Sequence, residues 1–236
     1  MSSKLPKIRQ LFKASDQPNG GNVVLNFTGR PKAELALIGD AYYNAARRLL
    51  EAFGADRAYS DLDAYPIVFL CRHALELLIK AVLTIGNDLA GLLEEPSLRV
   101  KDIYADHSLA KHIPQLKLVF QAVGWEDAFE QAGMAKGEFD QIIKEFEGFD
   151  PQSFTFRYPI NKDGSASLKE KHFVFSPKQF VETLDPILKS LSGACSGLEE
   201  YRQQLGDART EMAAYAHDHY DPGDYGDYLE YLDDES

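Results

Sequence analysis

Four side chains that can carry charge or transfer a proton stand close together in one apolar segment of the sequence. They are Arg72, His73, Glu76 and Lys80, within residues 65–81. At about 100° per residue of an α-helix, the four fall at roughly 0, 100, 40 and 80° and share one stripe of the helix surface. A histidine can act as a general acid or base, and an arginine can bind phosphate. The spacing thus predicts that an otherwise apolar helix carries one polar stripe, with groups suited to acid–base chemistry and phosphate binding.

Two interpretations of this stripe remain open from the sequence. In the first, the stripe is the water-facing side of the helix, and Glu76 pairs at four-residue spacing with Arg72 and Lys80. In the second, the stripe faces a cleft whose opposite wall supplies His107 and Arg157. The second interpretation predicts that all six side chains bind a ligand.

His107 and Arg157 also have simpler explanations. His107 precedes Ser108 at a predicted helix start, and one interpretation is that it is simply the residue before the helix cap. Arg157 is flanked by aromatic residues, and an arginine in an apolar setting needs a carboxylate partner. Glu76 is the candidate partner, which predicts a partly buried ion pair between them.

Other chemical signatures give little support for a different function. The sequence lacks GxxxxGK[ST], GxGxxG after a strand, HExxH and GxSxG, so it does not predict a phosphate loop, a zinc protease or a hydrolase of these classes. His217-Asp218-His219 resembles a metal-binding fragment, but the sequence places no third ligand beside it. We therefore expect no metal site and no cofactor.

The charge of the chain is concentrated at its C-terminal end. The formal net charge is −12, and nine acidic residues but no Lys or Arg occur from Thr210 to Ser236. The rest of the chain carries 25 basic and 28 acidic residues and is nearly neutral. Because an acidic tail repels nucleic acid, we expect no DNA binding, while a local RNA site on the neutral body remains possible.

The composition also bears on the cellular compartment. The longest apolar run, residues 67–83, is interrupted by charged residues, which argues against a membrane span. The two cysteines, Cys71 and Cys195, lie in apolar helical patterns without metal-like spacing. We therefore expect a soluble protein of the reducing cytoplasm with no disulfide.

Apolar residues recurring at helical spacing predict an all-α, up-and-down bundle of four to five main helices. We expect an N-terminal arm at 1–30, a helical domain at 31–209 and an acidic tail at 210–236. Alternation near 154–175, with a turn at 161–164, predicts a small β-hairpin inserted in the domain. The segment at 60–86 is apolar around most of its circumference, so it should be the central helix. A bundle of this size has few helices to cover it, which predicts a homodimer.

Three short segments, taken in order, resemble bacterial members of the HEPN superfamily. They are RHALELLIK at 72–80, HSL at 107–109 and FRYP at 156–159. The resemblance extends over roughly residues 31–205. It implies a four- or five-helix bundle, often dimeric, in proteins linked to RNA cleavage, toxin–antitoxin pairs or defence against phage.

The resemblance also implies what to expect of catalysis. Ribonuclease members carry an arginine followed, after four to six residues, by a histidine near the last helices. The nearest pair here, Arg209 and His217, has seven residues between its members, and an eight-residue step turns His217 about 80° away from Arg209 on a helix. The resemblance then implies a non-catalytic binding or partner module for a nucleotide, RNA or protein.

An enzyme with a rearranged site is the alternative. It would be a metal-independent endoribonuclease in which His73 or His107 is the acid/base and Arg72 or Arg157 contacts phosphate.

Overall fold

In a computed structural model of the 236-residue chain, residues 23–26, 28–55, 60–168 and 173–218 are described. They form six α-helices and two short 3₁₀ turns, at Asp61–Asp63 and Pro96–Leu98, so the predicted helical class is confirmed. The helices are α1 (Leu35–Ala55), α2 (Ala64–Leu92), α3 (Leu109–Ala122), α4 (Ala128–Gln131), α5 (Glu138–Phe149) and α6 (Pro177–Asp218).

Helix α2 lies at the centre of the fold, as its apolar circumference predicts. Leu75, Leu78 and Ile79 are fully buried, and α1, α3 and α6 of the same chain pack around the helix. A Cβ placed on Gly39 of α1 would lie 3.0 Å from Cγ of Leu78, so α1 approaches α2 closely. Because most of α2 is covered in this way, its polar stripe is held between neighbouring elements.

Helix α3 packs closely against α2 at Gly86. A Cβ placed on Gly86 would lie only 2.5 Å from Cγ2 of Val119, a distance that real Cβ atoms essentially never show. The helix begins after Ser108, whose hydroxyl accepts a hydrogen bond from the Lys111 backbone N–H. The close contact and the cap together hold the loop that precedes α3 against α2.

The predicted β-hairpin is not present among the described residues of 154–175. An isolated antiparallel bridge joins Ile160 and Ala166 around the expected turn, and no strand extends from it within the described part of this segment. The bridge is closed by a hydrogen bond from Asn161 N–H to the Ser165 carbonyl at 2.8 Å. Of the expected return arm, residues 169–172 lie outside the described residues.

The first arm of the expected hairpin is replaced by a turn because Asp150 binds its backbone. One carboxylate oxygen of the buried Asp150 accepts hydrogen bonds from the N–H groups of Phe154 and Thr155, at 2.6 and 2.9 Å. The N–H groups of Arg157 and Tyr158 both donate to the Phe154 carbonyl. A backbone held in this turn cannot stay extended, although the side chains alternate as in a strand.

The boundaries of the helical domain in the structure differ from the predicted boundaries at both ends. Helix α6 continues to Asp218, beyond the expected boundary at 209. Thr28, within the expected N-terminal arm, donates hydrogen bonds from its N–H and hydroxyl to the carboxylate of the buried Glu34. Most of the expected arm, residues 1–22, and the acidic segment from 219 lie outside the described residues.

None of the helices in the described ranges combines the length and apolar character needed to cross a membrane.

Candidate functional site

Glu76 is the centre of an ionic cluster on α2. One oxygen of its carboxylate accepts a hydrogen bond from Lys80 Nζ at 2.8 Å, and the other accepts one from Arg72 Nη1 at 3.2 Å. His107 Nδ1 lies 2.8 Å from the first oxygen. The side chains of Arg72, Glu76 and Lys80 are only 0, 3 and 5% exposed, whereas that of His107 is 50% exposed. The three α2 residues pair at four-residue spacing as expected, but they do not form a water-facing surface.

Arg72 is a structural member of this cluster. Its Nη2 donates a hydrogen bond of 2.6 Å to the backbone carbonyl of His107, in addition to the pair with Glu76. A fully buried guanidinium held by two partners is not accessible to a ligand. Its contacts instead fix the loop before α3, and with it the position of the His107 ring.

Lys80 connects the ionic cluster with Tyr104, whose aromatic ring is exposed. Its Nζ lies 3.5 Å from the carbonyl of Tyr104, and the Tyr104 hydroxyl shares a 3.0 Å hydrogen bond with Thr84 Oγ1. Lys32, which precedes α1, places its Nζ 5.7 Å from the centre of the Tyr104 ring. That distance is typical of a cation–π contact. The contacts thus continue along α2 to the start of α1.

His73, the residue after Arg72 on α2, lies among aromatic rings. It stacks on Phe69 with ring centres 5.7 Å apart, and Tyr42 of α1 meets it edge-on at 4.6 Å. The guanidinium of Arg157 lies 5.6 Å from the centre of the Phe69 ring and also donates to the Ser153 carbonyl.

The predicted pairing of Arg157 with Glu76 is therefore wrong. Arg157 is exposed and rests on an aromatic face, so its charge does not need a buried carboxylate. Glu76 is already satisfied by partners on its own helix and on the loop before α3. Of the six predicted residues, Arg72, Lys80 and His107 contact Glu76, while His73 and Arg157 both contact Phe69.

These contacts form two groups of cations and aromatic rings along α2, which together we call the cation–aromatic stripe. In the first group, Arg157, Phe69, His73 and Tyr42 contact one another in turn. In the second, the buried Lys80 contacts the Tyr104 carbonyl and Lys32 lies over the Tyr104 ring, while Lys80 and His107 both bond to Glu76. The stripe consists of Arg157, Phe69, His73, Tyr42, His107, Lys80, Tyr104 and Lys32.

Sequence reasoning missed the aromatic half of this stripe. Phe69 stands four residues before His73, so the same helical spacing that identified His73 could have identified it. Lys32 and Tyr104 had no comparable signal, because neither lies in a helix and only the fold brings them together.

The electrostatics of the cluster favour an ionised Glu76 at neutral pH. Burial by itself raises the pKa of this carboxyl, but the hydrogen bond and charge of Lys80, the hydrogen bond to His107 and the charge of Arg72 together lower the pKa below its ordinary value. Burial is also the main cause that lowers the pKa of His73, which favours its neutral form.

The lowered pKa of Glu76 predicts a specific loss of stability in acid. A carboxyl with a depressed pKa in the folded state contributes stability that is complete above its ordinary value of 4.5 and is lost as the pH falls through the folded-state pKa. We expect the difference in unfolding free energy between the native chain and Glu76→Gln to be constant near neutrality and to shrink in acid. Urea unfolding across this pH range measures it. A difference that grows toward acid would contradict the assignment.

Arg209 and His217, the pair nearest to the ribonuclease pattern, both lie on α6 but have different surroundings. Arg209 donates hydrogen bonds to the Gly91 carbonyl at 3.2 Å and to the Glu94 carboxylate at 2.6 Å, at the end of α2. His217 is exposed two helical turns further along α6. The arginine thus joins α6 to the end of α2.

The remaining candidates for chemistry are buried or dispersed. Cys71 and Cys195 are both buried and unpaired, and burial raises the pKa of each thiol to about 12, so both stay protonated at neutral pH. Across residues 23–26, 28–55, 60–168 and 173–218, no group of three or more His, Cys, Asp and Glu side chains is arranged to hold a metal ion.

Comparison with known proteins gives no match: no family model matches the chain, and neither does any curated protein or any solved structure.

Proposed function

We propose that this chain is a non-catalytic, HEPN-like binding module that holds a nucleotide or a short segment of single-stranded RNA on the cation–aromatic stripe. The alternation of cations and rings along α2 is the observation that carries the proposal. At its two ends, Arg157 lies over Phe69 and Lys32 lies over Tyr104.

A single-stranded nucleic acid has the complementary alternation. Its phosphates are anionic and its bases present flat faces that stack on aromatic rings, with about 1–3 kcal/mol per stacked base. Arg157, Lys32 and Tyr104 are exposed and accessible, while the buried Arg72 and Glu76 hold the loop that carries Tyr104 and His107. The buried part of the cluster would then position the binding surface, and the exposed part would contact the ligand.

Binding of a fluorescein-labelled ten-nucleotide oligouridylate, followed by fluorescence anisotropy, tests this function. We expect Arg157→Ala to weaken binding and to lower the salt dependence, since each lost phosphate contact reduces the log–log slope by about 0.7 for single strands. We expect Tyr104→Ser to weaken binding with little change in slope, because a stacked ring carries no charge.

Arg48→Ala is the matched control, because Arg48 is an exposed cation of α1 that is not part of the stripe. It should leave both affinity and slope unchanged. The proposal fails if the native chain shows no saturable binding, or if all three variants behave alike.

The alternative of a metal-independent endoribonuclease is favoured by one observation at His107. Its Nδ1 bonds to Glu76, so a neutral ring donates there and keeps Nε2 as an acceptor, the form required of a general base. Such an enzyme would use Arg157 on the phosphate, because Arg72 is buried. Cleavage of the labelled oligonucleotide that disappears in His107→Ala would select this alternative.

We further propose a cytoplasmic homodimer that acts in a toxin–antitoxin or defence system, in line with the HEPN resemblance. Helix α2 is covered within one chain, so the dimer would use another surface. Leu37 and Ile38, adjacent at the start of α1, are among the exposed apolar residues of the described ranges. Light scattering at tens of micromolar should give twice the chain mass of 26.4 kDa. A mass of one chain would reject the dimer.

A further inference from the structure

The C-terminal segment 219–236 has a sequence pattern that complements the cation–aromatic stripe. Three successive triplets each begin with an acidic residue followed by tyrosine, at 224–226, 227–229 and 230–232, and further acidic residues follow at 233–235. Negative charge and an aromatic ring therefore recur together every three residues. A single-stranded nucleic acid also combines negative charge with stacking rings at regular intervals.

We propose that residues 219–236 bind the cation–aromatic stripe of the same chain and compete with RNA for it. This inference rests on the proposed function, because it assigns the regulation of that same site. The acidic side chains would pair with the exposed cations Arg157 and Lys32, and the tyrosines would stack with Tyr104 and neighbouring rings. The charges are opposite in sign, and the stripe contains the kinds of groups that the segment can contact.

The segment is long enough to reach the stripe. Arg209 of α6 bonds to Gly91 at the end of α2, so the relative positions of the two helices are fixed there. At 1.5 Å per residue, the axial path back from Asp218 to the level of Lys80 is on the order of 30 Å. An extended segment of residues 219–236 spans up to about 59 Å. At that extension residues 227–232 lie up to about 30–46 Å from Asp218 and can come level with Tyr104 and Lys32. Arg157, over Phe69 about 16 Å further along α2, is within reach of the acidic residues at 233–235.

Tethering determines how strongly such a segment competes. A binding segment that belongs to the same chain as its site has an effective concentration on the order of 1 mM, so an intrinsic affinity near 100 μM would weaken RNA binding about tenfold. The occupant is the chain's own segment, and the competition is thus independent of protein concentration. Occupation by the tail of a second copy would instead increase with concentration.

Two measurements on full-length chains test this inference. The first compares oligouridylate binding by the native chain with binding by a tail-substituted chain, in which we expect an affinity about tenfold higher. The second measures binding of a fluorescein-labelled synthetic peptide of residues 219–236 to the tail-substituted chain, with a scrambled peptide of the same composition as control. The tail substitutions are Asp224→Asn, Tyr225→Ser, Asp227→Asn, Tyr228→Ser, Glu230→Gln and Tyr231→Ser.

The peptide should bind the tail-substituted chain and lose binding when Lys32→Glu and Arg157→Glu are added, but not when Arg48→Glu is added. Absence of peptide binding, or equal binding by the chain with both stripe charges reversed, would overturn the inference. A difference in oligouridylate affinity that grows with protein concentration would overturn the same-chain assignment. Peptide binding without any oligonucleotide binding would support docking of the segment and reject the proposed RNA function, so the two failures are distinguishable.

Discussion

Glu76→Ala is expected to lower the free energy of unfolding by about 3–5 kcal/mol, because removal of one partner of a buried ion pair leaves the other charge uncompensated. Here the loss would leave two buried cations, Arg72 and Lys80, without their carboxylate. Urea unfolding at neutral pH measures the change. Glu182→Ala is the matched control, since Glu182 is an exposed helical glutamate with a lysine four residues earlier, and should change stability by less than about 1 kcal/mol.

Double-mutant cycles identify the partners of Glu76. The effects of Glu76→Ala and Arg72→Ala should be strongly non-additive, because the two side chains are bonded to each other. The effects of Glu76→Ala and Arg157→Ala should add, because Arg157 lies on Phe69 and does not contact Glu76. Strong coupling to Arg157 with none to Arg72 would contradict this arrangement of the cluster.

Gly86→Ala is the second substitution with a large expected effect, a loss of about 1–3 kcal/mol from overpacking. The added methyl group would lie 2.5 Å from Cγ2 of Val119, and valine has little freedom to rotate within a helix. Helix α3 would have to move away from α2, and the loop that places His107 beside Glu76 precedes α3. We therefore expect thermal unfolding at a lower temperature together with weaker oligouridylate binding.

Gly91→Ala distinguishes the steric clash expected at Gly86 from the general effect of alanine on helix stability. Gly91 also lies in α2, but a Cβ there has nothing within 4 Å, so Gly91→Ala should stabilise the chain by about 0.5–1 kcal/mol through helix propensity alone. Adding Val119→Ala to Gly86→Ala should recover part of the loss by making room for the methyl group. Equal effects at Gly86 and Gly91 would contradict the close approach of α2 and α3.

The helical fold and the core of the cluster could be predicted from the sequence because both depend on local periodicity. Four-residue spacing places Arg72, Glu76 and Lys80 side by side wherever the helix lies. Their burial could not be predicted, because it depends on the loop around Tyr104 and His107, which folds over α2.

The contacts of Arg157 show a second limit of sequence reasoning. Alternating side chains at 154–160 are typical of a strand, but the Asp150 carboxylate binds the N–H groups of Phe154 and Thr155 and imposes a turn. This turn places Arg157 over Phe69 and away from Glu76. Two hydrogen bonds from the backbone to one carboxylate therefore account for the turn in place of the predicted strand, and for the position of Arg157 away from Glu76.

The proposal that RNA binds the cation–aromatic stripe is tested most directly by photo-crosslinking. A 4-thiouridine oligonucleotide is crosslinked to the native chain, and the adducts are mapped by mass spectrometry. Binding on the cation–aromatic stripe predicts adducts at Tyr104, Phe69 or Tyr42, and their loss when unlabelled oligouridylate is in excess. Adducts confined to other surfaces, or none at all under conditions of saturable binding, would contradict the assignment of the stripe as the RNA-binding surface.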